Sequence, residues 1–297
     1  MTTNSAGFRG REIAQKKQLG ATRVLVLGDS YVWGFGVQDD EVFTSRMESF
    51  CPGIEAVNFG VSGYSTDQEL LLYRDKGAAY GPDVVVLVLA GNDYEDNARS
   101  KVYVYYHKPA FILDGDRLVL TNDPVPQSNV LLRTLAQIAQ RSYVLTQMNR
   151  TIEAMARGAS AAPKAAPTPG QATEALAATR PFPRTAGQAI TVRLVRELAT
   201  AVRSTGSQFV VVFTDGQGEV ARELTRAVAD PAIVYVYLDD VFREAESGDL
   251  HLPQDFHWNA AGHALVAQTV TRALVEHAKV PSNACPIGTV RTSISIQ

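Results

Sequence analysis

Arg23-Val24-Leu25-Val26-Leu27-Gly28-Asp29-Ser30 runs straight into Tyr31-Val32-Trp33-Gly34. The apolar run has no polar alternation, so it reads as a strand buried on both faces, as in a parallel sheet. It ends abruptly at Gly-Asp-Ser, which puts a hydroxyl at the carboxyl end of the strand. In open α/β sheets, ligands bind in the crevice beyond those ends. This stretch alone allows two readings of Ser30. It is a nucleophile, or it is a turn residue that, like Asp29, bonds local backbone.

Working outward, the pattern repeats. Asp40–Phe50 reads as a helix, with Asp39, Asp40 and Glu41 suited to its positive N-terminal end. Pro52-Gly53 breaks it, and Ile54–Phe59 is a second strand. Gly60-Val61-Ser62-Gly63-Tyr64-Ser65 is a turn, and Thr66-Asp67-Gln68-Glu69 matches a capping box opening the helical run from Leu70. Val84–Leu89 is the clearest buried strand and ends in Ala90-Gly91-Asn92-Asp93. Strand and helix thus alternate over the first ninety residues, the pattern of a parallel sheet with helices on both faces. The right-handed crossover rule puts the three polar turns on one sheet edge.

Residues 101–155 are less regular and read as an insertion on that edge, a lid or a surface elaboration. Within it, Phe111–Leu113 and Arg117–Leu120 flank Asp114-Gly115 as a hairpin. Residues 129–155 carry helical spacing, with Leu131, Leu135, Ile138, Leu145 and Met148 on one face. Residues 157–184, rich in Ala, Pro, Thr and Gly, read as a linker. The α/β pattern then resumes. Ile190 to Val202 is a helix with Gly206 at its C′ position, and Phe209–Phe213 is a strand. Val220 to Val228 is a helix, and Ile233–Leu238 is the last strand. A loop, His251–Asn259, precedes a terminal helix capped by Asn259. The expected organisation is an N-terminal arm at 1–20, one α/β domain at 21–280 and a tail at 281–297.

Composition narrows the function. The chain has 297 residues, 45% hydrophobic and 20% charged, with a net charge of −3, which is ordinary for a globular enzyme-sized domain. Without a basic block, nucleic acid has no electrostatic footing. Without a long apolar stretch, neither a spanning helix nor a secretory signal is expected, so the expected location is cytoplasmic and no membrane partner is expected. The two cysteines, Cys51 and Cys285, lack metal-type spacing and read most simply as free thiols.

A serine hydroxyl needs a base to take its proton, and the usual arrangement is a histidine oriented by a carboxylate. His257 stands out because Asp255 lies two residues away in the same loop. Acyl transfer also needs donors for an oxyanion. The turns at Gly63 and Asn92 offer a backbone N–H and a side-chain amide at neighbouring strand ends.

Four blocks together make the sequence resemble the SGNH, or GDSL-type, hydrolase family. Gly28-Asp29-Ser30 is similar to its first block, Asn58-Phe59-Gly60-Val61-Ser62-Gly63 to its second, Gly91-Asn92-Asp93 to its third and Asp255-Phe256-His257-Trp258-Asn259 to its fifth. The resemblance implies a flavodoxin-like three-layer α/β/α sandwich and a serine esterase that needs neither metal nor organic cofactor. It assigns Ser30, His257 and Asp255 to a triad and Ser30, Gly63 and Asn92 to an oxyanion hole. Many members carry Asp-x-x-His, whereas this chain has Asp255-x-His257, as in relatives that act on acylated polysaccharides. Asp239, Asp240, Asp249 and a backbone carbonyl therefore stand as alternative orienting groups.

The expected substrate is a small acyl ester on a carbohydrate or other metabolite. An acyltransferase or thioesterase would use the same acyl-enzyme, and a non-catalytic binding module is the reading from another class. Two competitors remain: a metal site from His251, His257, His263 and Asp255, whose spacing lacks the i, i+4 pair of a helical site, and a nucleotide loop at Gly34-Phe35-Gly36, which lacks the full glycine pattern and the acidic ribose partner. The ring cluster Trp33, Tyr103, Tyr105 and Tyr106 is a candidate for packing a sugar or acyl chain, or for the core.

Overall fold

The computed structural model describes residues 1–17, 19–102, 106–127, 182–245, 248–278, 280 and 285. The helical spacing at 129–155, the linker up to residue 181, Tyr103, Tyr105 and nearly all of the tail lie outside the described residues.

The chain opens with β1 (Thr22–Gly28), a single helical turn α1 (Ser30–Trp33), α2 (Phe43–Phe50), β2 (Ile54–Gly60), α3 (Thr66–Asp75), β3 (Val84–Leu89) and the short turn α4 (Asp93–Asp96). Two antiparallel pairs follow: β4 (Lys101–Val102) with β5 (Tyr106–His107), and β6 (Ala110–Asp114) with β7 (Arg117–Thr121). The second pair is the expected hairpin, shifted by one residue. Asp114 pairs with Arg117, so Gly115-Asp116 makes the turn. The chain continues with α5 (Ala186–Ser204), β8 (Gln208–Phe213), α6 (Glu219–Val228), β9 (Val234–Tyr237), α7 (Leu238–Glu244) and α8 (Ala260–His277).

The central sheet has five parallel strands in the order β2-β1-β3-β8-β9, the flavodoxin-like arrangement. Successive strand residues point to opposite faces, and the two cores divide along that alternation. Leu25, Leu27, Val85, Leu87, Phe209 and Val211 pack with α3, α5 and α6 on one face. Val24, Val26, Val84, Val86, Val210 and Val212 pack with α2 and α8 on the other. Both sets are buried, which is why the strands read as continuous apolar runs. The chain leaves β1 for β2 on one side and returns to β3 on the other. The crevice at that reversal is where such sheets bind ligands, and both Ser30 and Asn92 flank it.

Four local expectations change. The helix expected from Asp40 starts at Phe43 instead. The acids ahead of it are used otherwise: Asp39 accepts from Arg9 Nε at 2.8 Å, and Glu41 from the Gln38 N–H. The capping box does not form. Ser65 precedes α3, and Glu69 turns inward and is buried, with neither carboxyl oxygen bonded. The last strand stops at Tyr237, because Leu238 opens α7. The two thiols form a disulfide between Cys51, at the end of α2, and Cys285.

The N-terminal arm is anchored. Phe8 stacks on Phe59, with ring centroids 3.9 Å apart. The buried Arg9 guanidinium donates to the carbonyls of Trp33, Gly34 and Val37. It therefore grips the loop immediately after the Ser30 turn.

Candidate active site

Ser30 is presented by the change from strand to helix. β1 ends at Gly28, and Asp29 caps α1, its Oδ1 accepting from the Tyr31 N–H at 2.9 Å. The end of β2 must come close to this turn. A Cβ at Gly60 would lie 2.4 Å from the backbone nitrogen of Trp33, so only glycine fits there. Ser30 is half-buried, with its hydroxyl facing the loop between α7 and α8.

That loop is a tight hairpin. His251 and Trp258 form an isolated antiparallel bridge, the Leu252 N–H donates to the His257 carbonyl at 2.8 Å, and the Asn259 N–H donates to Leu250 at 2.9 Å. Asn259 also caps α8, accepting from the N–H groups of Ala261 and Gly262. The result is a fixed position for His257. Its Nε2 lies 2.7 Å from Ser30 Oγ and its Nδ1 lies 2.6 Å from Asp255 Oδ1. Asp255 Oδ1 also takes the His257 backbone N–H at 2.9 Å, so the two-residue spacing folds the carboxylate back onto the imidazole.

The alternative acids are committed elsewhere. Asp239 accepts from the N–H groups of Gly216 and Gly218, Asp240 pairs with Arg222 and Arg243, and Asp249 accepts from the His251 N–H. The three histidines of the competing metal reading also diverge. His251 Nε2 meets Asp215 at 2.8 Å, and His263 Nδ1 accepts from the Phe43 N–H at 3.3 Å. Burial pushes the His263 imidazole down to about 3, so it is neutral and packs between Phe43 and Trp258. Among the described residues, no three His, Cys, Asp or Glu side chains are grouped to hold a metal ion.

The other two turns stand where the alternation put them. Gly63 takes a left-handed conformation, φ +82°, just past β2. Asn92 follows β3 at the start of α4, with its amide reaching Asp96 Oδ2 at 3.2 Å.

Several residues at the site carried no sequence signal. Asp215, just past β8, accepts from Trp258 Nε1 at 2.8 Å as well as facing His251, so one carboxylate holds both strands of the hairpin. Tyr31 donates its hydroxyl to the Phe256 carbonyl at 3.0 Å. Phe35 and Phe256 lie with ring centroids 4.7 and 4.5 Å from the His257 ring. Of the ring cluster that read either as a sugar- or acyl-packing surface or as core, Trp33 and Tyr106 are partly exposed.

Behind the serine is a buried group of acids. Asp29, Glu69 and Asp93 are all enclosed, and burial, reinforced for Glu69 and Asp93 by neighbouring carboxylates, raises their pKa values. Asp29 is pushed up to about 6, and the Tyr31 N–H, His257 and Asn92 hold it from rising further. Beside them Asp67 forms a buried ion pair with Lys108, which also donates to Ser65 Oγ at 3.0 Å.

A model of the GDSL-like Lipase/Acylhydrolase family matches residues 26–265, and the chain belongs to that family. It is accordingly an ester-hydrolysing enzyme. No curated protein matches it. Solved structures similar to it include TesA, 12% identical over 85% of this chain and 97% of that one, with a TM-score of 0.44. The esterase EstA from Pseudoalteromonas sp. is 10% identical over 86% and 97%, with a TM-score of 0.46. A variant of Axe2, an acetyl xylan esterase from Geobacillus stearothermophilus, is 12% identical over 89% and 99%, also with a TM-score of 0.46.

Proposed function

We propose that this enzyme hydrolyses small acyl esters carried on a carbohydrate or similar metabolite, through an acyl-enzyme on Ser30. The observation that carries the mechanism is the relay Asp255–His257–Ser30, with links of 2.6 and 2.7 Å. Both are within the range for proton transfer. His257 takes the Ser30 proton as Oγ attacks the ester carbonyl. Asp255 holds the Nδ1 proton and stabilises the imidazolium. The N–H groups of Ser30 and Gly63 and the Asn92 amide hold the tetrahedral oxyanion. His257 then protonates the departing alcohol, and water, activated by the same imidazole, releases the acid.

A fluorophosphonate probe tests this reading. It should label Ser30 stoichiometrically and stop hydrolysis of short-chain esters. Labelling at another serine, or hydrolysis that persists after full labelling, would remove Ser30 from the mechanism.

Asp215 has a positioning part in this scheme. Replacing it with alanine leaves the Trp258 N–H and His251 without their partner, which loosens the hairpin that aims His257. Loss of a hydrogen bond to a charged group is worth about 1.5–3 kcal/mol. Asp215→Ala should lower kcat about tenfold or more with a smaller change in KM. Asp215→Asn, which keeps an acceptor for Trp258, should recover part of it. Equal loss in both variants would mean that the carboxylate matters for its charge alone.

A further inference from the structure

We propose that Phe35 and Phe256, two exposed rings tilted 42° and 31° to the His257 imidazole, form the subsite for the alcohol part of the ester, an apolar shelf that packs on the C–H face of a sugar ring. This rests on the esterase reading above and adds the side of the ester and the chemistry the shelf accepts.

Among the described residues, the two rings are among the few large apolar side chains left open to solvent, at 46% and 67% exposure. Single exposed hydrophobes are ordinary. These two are different because both lie against the same imidazole, at 4.7 and 4.5 Å between centroids. They come from opposite ends of the chain, one from the loop after Ser30 and one from the hairpin carrying His257.

Both backbones are pinned. The Phe35 N–H donates to the Ser30 carbonyl at 3.0 Å, and the buried Arg9 holds the carbonyls of Trp33, Gly34 and Val37 around it. The Phe256 carbonyl accepts from Tyr31. A shelf fixed before binding loses little entropy when it is covered.

Proton transfer decides which part of the ester the shelf meets. The group that protonates the leaving oxygen must lie within hydrogen-bond reach of it, so the alcohol oxygen leaves beside His257 Nε2. Rings packed on that imidazole therefore touch what is attached to the alcohol oxygen, whereas the acyl carbonyl oxygen turns toward Gly63 and Asn92. The openness of the shelf decides the chemistry. An alkyl chain gains most from a closed apolar pocket, but a sugar ring offers one apolar face and keeps its hydroxyl rim in water. Phenyl rings carry no polar atom, so they select the face and leave the hydroxyls unread.

The experiment holds the acyl group constant as acetate and varies the alcohol. A mono-O-acetyl methyl pyranoside, ethyl acetate and phenyl acetate are compared for the wild-type enzyme, Phe256→Ala, Phe256→Leu and Phe35→Ala/Phe256→Ala. The ratio of kcat/KM on the pyranoside to that on ethyl acetate should fall about tenfold in the double variant, chiefly through KM. Phe256→Leu, apolar but not flat, should fall with Phe256→Ala. An unchanged ratio in enzyme whose Ser30 still labels with fluorophosphonate would overturn the shelf and leave the esterase reading standing. So would a fall confined to phenyl acetate, or one that follows acyl length on a fixed alcohol. Absence of any acetate hydrolysis together with absence of Ser30 labelling would overturn both.

Discussion

Ser30→Ala should reduce ester hydrolysis by at least about a thousandfold without unfolding the protein, since loss of a triad nucleophile removes most of the catalytic acceleration. The half-buried side chain loses one oxygen, and the β1–α1 turn keeps its Asp29 cap. Circular dichroism and Tm should therefore match the wild type. Asn92→Ala gives the useful contrast. One oxyanion donor is worth about a hundredfold or more in kcat, so this variant should be crippled but measurable. Asn92→Ala matching the wild type would take that amide out of the oxyanion hole. Ser30→Ala retaining activity would take the whole scheme with it.

The second large effect is on stability against pH. Glu69 and Asp93 hold their protons far more tightly in the fold than in the unfolded chain, and Asp29 does so up to about 6. Above a pH of about 4 the unfolded chain has released these protons and the fold has not. Stability is then full at low pH and declines as pH rises through the folded-state values. Asp29 contributes its loss between about 4 and 6, and Glu69 and Asp93 extend the decline to higher pH. Tm should fall from pH 5 to pH 8. Glu69→Gln, which keeps the shape but cannot ionise, should flatten that slope and raise Tm at pH 8 by about 3 °C or more, with little change at pH 5. A Glu69→Gln slope identical to the wild type would show that the buried acids do not titrate in this range.

The parts of the molecule legible in the sequence are those set by local pattern. Val84–Leu89 is apolar throughout because both its faces are covered, and Ser30, Asn92 and His257 stand at boundaries that the pattern itself defines. Asp255 was legible as the nearest carboxylate to His257, and the short spacing proved compatible with contact because the backbone N–H and the ring share one oxygen. What escaped depends on long-range pairing. The Asp215 clamp joins residues 36 and 43 positions apart, and the disulfide joins residues 234 apart. Periodicity does not reach such distances. Glu69 escaped for another reason. Its spacing from Thr66 satisfied a local rule, but the buried face of α3 turned the carboxyl inward.

Arg9 lies outside the stretch that matches the family, which begins at residue 26. Yet its guanidinium is what ties down the loop bearing Phe35. The portable unit of this enzyme is thus larger than the family's boundaries. Arg9→Ala, which leaves β1 whole, would keep the proposed Ser30, His257 and Asp255 groups and lose the bolt that fixes the loop bearing Phe35. Selectivity in that variant should degrade before hydrolysis itself does.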